Sequence, residues 1–69
     1  MPLSIIEPGT EVYISRISGR PETRQFLEGL GFTVGCAVKV ISQTGGNLIV
    51  QIKDSRIALN REMANKIFV

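Results

Sequence analysis

Residues 26–40 read FLEGLGFTVGCAVKV, with glycines at 29, 31 and 35, and this stretch restricts the fold more than any other. Before it, Thr23, Leu27 and Leu30 recur at helical spacing, with Phe26 on the flank. After it, Val38 and Val40 alternate with polar positions in the period of a strand. A chain that changes period within so few residues has to stop a helix and start a strand. Gly31 suits the left-handed position that closes a helix, with Phe32 folding back onto it, and Gly35 suits the turn into the strand. The competing reading of clustered glycines is a phosphate cradle. A dinucleotide fingerprint, however, needs its strand before the glycines and its helix after, so that phosphate meets the positive helix end. Here the order is reversed, and no Gly-Lys-Ser/Thr follows. The nucleotide reading is therefore discarded.

The other elements follow from similar local signals. Pro8-Gly9 marks a turn, and EVYISRI alternates as a strand with Val12 and Ile14 on one side and Glu11, Tyr13 and Ser15 on the other. Gly19-Arg20-Pro21 ends that strand. Pro21 then suits a helix start, and Glu22 complements the positive helix end, so a helix is expected over 22–30. Gly29 lowers helix propensity by about 1 kcal/mol relative to Ala, and close packing against a strand is the usual reason for such a residue. Thr44-Gly45-Gly46-Asn47 predicts a hairpin with two positive-φ glycines between strands AVKVIS and NLIVQIK. Asp54-Ser55 marks a second turn before the strand RIAL. Asn60 is placed to cap a helical turn in NREMANK, and IFV forms a last short strand. The sum is a small all-β domain over residues 1–69. It is read as a five-stranded antiparallel barrel with one short helix after the first strand and a helical turn before the last. Closure would hide strand edges that otherwise invite aggregation.

Composition matters because the chain is so short. Sixty-nine residues bury only about 60% of the surface their unfolded chain exposes, and a single cysteine, Cys36, cannot staple one chain. Apolar residues at 43% and charged residues at 20% are those of a globular domain. No apolar run is long enough to cross a bilayer, and the opening MPLS lacks the features of a secretory signal, so a cytoplasmic location is expected. A net charge of +2 is compatible with an acidic partner surface or weak nucleic-acid contact, but it is no basic footprint.

Catalytic and metal chemistry find little support. There is no histidine, the commonest general base and transition-metal ligand. The carboxylates Glu7, Glu11, Glu22, Glu28, Asp54 and Glu62 are dispersed, so no ligand cluster for ferrous iron is offered. No catalytic, cofactor or metal residue is assigned. Cys36 reads either as a small half-buried apolar residue or as a reactive thiol. Arg16, Arg20 and Arg24 bracket the strand–helix junction, and Arg56 and Arg61 flank the last strand of the meander. Such arginines are either merely solvated or able to make bidentate contacts to carboxylate or phosphate. Ile41 and Ile49 fall out of phase with the inward sets and are expected to pair across the Gly45-Gly46 hairpin, where with Tyr13 they form either a docking patch or the covered second face of a tight barrel. The candidate partner-contacting residues are Tyr13, Arg16, Arg20, Arg24, Phe26, Ile41, Ile49 and Arg56.

FLEGLGFTVGCAVKVI resembles the core of the FeoA family of small cytosolic proteins of bacterial ferrous-iron uptake. That family's pattern is a helix ending Leu-Gly-apolar, two residues, then Gly and an alternating strand. PLSIIEPG is similar to the family's opening and RIALNREMANKIFV to its close. Val34 departs from the family, where Pro commonly precedes the glycine. The resemblance implies an SH3-like barrel and an accessory role toward the membrane ferrous-iron transporter FeoB, whose cytosolic part carries a G-protein domain. An arginine such as Arg20 would then be a candidate finger supplied in trans. Two other functions stay open: an RNA- or ribosome-associated barrel, and a peptide-binding or oligomerisation module like the C-terminal domain of iron repressors. The first is opposed by the low charge and by the shortage of aromatics, Tyr13, Phe26, Phe32 and Phe68.

Overall fold

The stretch that changes period behaves as expected in the computed structural model, which describes residues 1–69. Helix α1 spans Pro21–Gly29 with Pro21 in its first turn. Its end is a full Schellman closure: the Gly31 N–H donates to Glu28 O (2.9 Å) and the Phe32 N–H to Leu27 O (3.0 Å). Gly31 takes φ +105, a region that a side chain would strain. Phe32 is wholly buried behind this cap. Gly29 differs from expectation. A Cβ there would meet nothing within 4 Å, so no close approach accounts for it.

Six strands form where five were expected. EVYISRI divides into β1, Glu11–Tyr13, and β2, Arg16–Ile17. The cause is a change of partner. Val12 and Tyr13 face Val38 and Ala37 of β3, Ala37–Thr44, and the Ile14 N–H still reaches Cys36 O at 3.0 Å. One residue later the Ser15 N–H donates to Phe68 O at 2.8 Å, and β2 pairs with β6, Ile67–Phe68. Helix α1 therefore follows the second strand. The meander continues through β4, Asn47–Ile52, and β5, Ser55–Asn60, then the short helix α2, Arg61–Ala64. Asn60 caps α2 as expected, accepting from the Met63 N–H at 2.8 Å.

All pairings are antiparallel, in a four-stranded sheet of order β1-β3-β4-β5 and a two-stranded sheet β2-β6. The two sheets are not laddered together into a closed barrel, so the architecture is SH3-like but open. One face of the larger sheet supplies Val38, Val40, Leu48, Val50, Ile52 and Leu59 to a core completed by Leu3, Ile6, Ile14, Leu27, Phe32, Ala64 and Ile67. No polar residue is buried in it, so every buried side chain contributes apolar area without a desolvation penalty.

Three details of the hairpins depart from the sequence reading. In the β3–β4 turn only Gly45 has positive φ (+57), the pattern of a turn with one left-handed residue at its first central position. The β4–β5 turn is Lys53-Asp54, because Ile52 pairs with Ser55, and Lys53 itself sits at φ +53. Ile41 and Ile49 do not pair: a bulge between Val40 and Ser42 leaves Ile41 unpartnered and sets Ile49 opposite Ser42. The bulge also sets Gln43 opposite inward-facing Leu48. From there its Nε2 donates to Ser4 O (3.0 Å) and Ile6 O (3.3 Å), tying down the opening 3-10 turn Leu3–Ile5. The ends of the chain meet, with the Val69 N–H on Met1 O at 2.8 Å and Pro2 bridged to Phe68.

Candidate functional site

With its inner face committed to the core, the four-stranded sheet leaves an outer face built by alternation from the same strands. Registers Glu11↔Lys39, Lys39↔Gln51 and Gln51↔Arg56 align those four side chains in one row across β1, β3, β4 and β5. The next row toward the hairpin brings Ile41, Ser42, Ile49 and Ala58 together. On the other side lie Tyr13 and Ala37, and continuing the β3–β4 register sets Lys53 opposite Ala37. Four of the eight sequence candidates, Tyr13, Ile41, Ile49 and Arg56, thus share one surface. Tyr13 is 65% exposed, while Ile41 and Ile49 are half-buried.

The other four do not join them. Arg16 lies on β2 and stacks its guanidinium 4.4 Å from the centroid of the Phe68 ring, a cation–π contact that occupies both groups. Arg20 precedes α1 and Arg24 lies one turn on; both are exposed, on the same side of the helix. Phe26, 55% exposed, is two residues from Arg24 and therefore points elsewhere. These residues make separate features, not a second patch.

The outer face also holds a pocket that sequence reasoning missed. It is shallow, about 350 Å³, and lined by Glu11, Cys36, Ala37, Lys39, Gln51 and Lys53. Its hollow follows from Ala37, the smallest side chain between Tyr13 and Lys53. The one sequence signal was Lys39 alternating outward from β3. Lys53 arrives only because the turn falls a residue earlier than its composition suggests.

Cys36 forms one wall. Its Sγ lies 2.8 Å from Thr33 Oγ1. The thiol is held below its ordinary value, chiefly by this hydrogen bond, with help from the Thr33 backbone and the Lys53 charge and against partial burial. Cys36 is half-buried and packs against the core, in keeping with the reading of a small half-buried apolar residue, and its lowered thiol on the pocket wall leaves the reactive-thiol reading open. No three His, Cys, Asp or Glu side chains converge on a point that could hold a metal ion. No helix is long and apolar enough to cross a membrane.

Comparison with known proteins agrees with this architecture. The family model described as the FeoA domain matches residues 1–69. A Methanocaldococcus jannaschii protein named as an Fe(2+) transport protein A is 35% identical over 68 residues, covering 99% of this chain and 83% of that protein. A crystal structure of the iron uptake regulatory protein FeoA superposes with a TM-score of 0.87 at 29% identity, covering 96% of this chain and 88% of the other. Stenotrophomonas maltophilia FeoA, solved with zinc and described as a prokaryotic SH3 domain protein, gives a TM-score of 0.86 at 24% identity, covering 99% and 87%. At that identity it supports the fold alone.

Proposed function

This chain belongs to the FeoA family, and from that premise we propose that it is an accessory protein of ferrous iron transport acting by protein–protein binding. The observation that carries the reading is the match to the FeoA domain from residue 1 to residue 69. The partner is the cytosolic part of the transporter FeoB, met in the cytoplasm, and the contact surface is the outer face of the four-stranded sheet. Tyr13, Ile41 and Ile49 supply apolar area there, ringed by Lys39, Lys53 and Arg56, the composition of an interface with an apolar centre and a polar rim. The protein performs no chemistry on iron itself.

The test is capture of the FeoB cytosolic domain by immobilised protein. Tyr13→Ala and Ile49→Lys should each weaken capture roughly tenfold, the equivalent of about 1.4 kcal/mol, with thermal melts close to wild type. Unchanged capture by both folded variants would move the interface off this face. Unchanged GTP turnover by the FeoB G domain on replacing wild type with Arg20→Ala would remove the trans-finger role.

A further inference from the structure

We propose that the pocket between Lys39 and Lys53 is a carboxylate-binding site that receives an acidic side chain of a protein partner. Two of its six lining residues are lysines, against one acid, Glu11, and Arg56 continues the same row beyond Gln51. Neither lysine ammonium donates any of the side-chain hydrogen bonds of the molecule. Both are free to take an incoming anion. Gln51 also lines the pocket, with its Nε2 3.5 Å from Lys53 O, and presents an amide between the two charges.

Lys53 carries a second signal. It is the only residue other than glycine with positive φ, in a turn where Gly or Asn would be strain-free. A strained backbone at a charged pocket rim points to a function for that side chain.

The occupant is acidic protein for three reasons. Glu11, opposite Lys39 on the same wall, offsets one of the two lysines, leaving a net positive charge that suits a single carboxylate and is too small for the continuous charge of a nucleic-acid backbone. Tyr13 and Ile49, flanking the hollow, give a protein segment apolar contact that a free anion cannot use. The pocket is also too open to bury most of a small metabolite, as binding sites for such ligands do. This inference rests on the partner-docking reading above only for the identity of the partner.

Cys36 makes the site measurable, because a ligand in the pocket shields its thiol. The experiment follows iodoacetamide labelling of Cys36 in the whole protein, with and without a short Glu-rich peptide. The expected result is a slowing of roughly fivefold at about four times the Kd of the peptide, absent with the Gln-substituted peptide and absent in the Lys39→Gln, Lys53→Gln double variant. Because protection is a ratio within each variant, any change in thiol reactivity caused by the substitutions cancels. No slowing in wild type, or equal slowing in the double variant, would overturn the site. Equal protection by citrate or by a single-stranded RNA would overturn its assignment to acidic protein.

Capture of the FeoB domain separates this inference from the function. If the double variant loses peptide protection but captures FeoB as wild type does, the pocket stands and serves another acidic protein. If peptide protection is absent while capture is intact, the pocket falls and the function stands.

Discussion

The two hairpin turns have the same length and the same backbone sign, and they differ in what stands at the left-handed position. Gly45 at φ +57 and Lys53 at φ +53 each open a two-residue turn of the β3–β4–β5 meander. The first uses the residue for which that conformation is free and leaves nothing projecting, with no atom within 4 Å of a Cβ at Gly45. The second accepts strain and delivers a charged side chain to the rim of the only pocket. A turn that needs only to reverse the chain is made of glycine. A turn that also has to present a group tolerates a residue that fits the backbone badly.

Five substitutions break or sharpen this contrast. Both turns hang from one core, so emptying it must outweigh either. Phe32→Ala should destabilise by about 3–5 kcal/mol, read as a shift of the urea midpoint, and for so small a domain that approaches global unfolding. Gly45→Lys, which makes the first turn like the second, should destabilise by about 1–2 kcal/mol in the same assay, the usual penalty for an L-residue in this region.

Gly29 supplies the opposite control, a glycine with neither positive φ nor a close neighbour. Gly29→Ala should stabilise by about 0.5–1 kcal/mol, seen as a higher melting temperature. Lys53→Gly relieves strain but loosens the unfolded chain, so the net gain should be smaller, about 0.5 kcal/mol. It should nonetheless weaken peptide protection of Cys36, since Lys39 alone then remains to hold the carboxylate. A stability loss in Lys53→Gly would mean that the turn is not strained, and the contrast would fail.

The smallest effect is in the titration of Cys36. Its thiol lies below the ordinary value, so thiolate, and hence alkylation, persists at lower pH than for a free cysteine. Thr33→Val removes the main cause and should move the rate–pH profile to higher pH. Lys53→Gly should move it in the same direction but by less, since the lysine charge is the weakest of the causes.

What was legible in the residues was what is decided locally. The helix stop at Gly31-Phe32, the Gly45-Gly46 hairpin and the Asn60 cap each depend on a few neighbouring residues whose backbone preferences agree with the fold. The break between β1 and β2 was not legible, because no Gly or Pro marks it. Ile14 and Ser15 simply hydrogen-bond in different directions, to Cys36 just before β3 and to Phe68 in β6, which is known only once both strands are in place.

The bulge at Ile41 escaped for the same reason, and with it the register of Ile49 and the inward turn of Gln43. Alternation alone nevertheless puts Tyr13, Ile49 and Arg56 on the side away from the core, where the registers bring them onto one face. The pocket was hidden because its two lysines lie on different elements, and the turn that brings Lys53 in is unmarked by glycine.

Residues 1 and 69 are hydrogen-bonded to each other, with the Val69 N–H on Met1 O at 2.8 Å, and the flanking Pro2–Phe68 bridge holds both ends on one side of the domain. The backbone is therefore nearly a ring. A linker of a few residues should join the ends with little rearrangement, and fresh ends opened between Gly45 and Gly46 would give a circular permutant with the same core. By the same geometry the domain can be spliced into a surface loop of a host protein, entering and leaving at a single point.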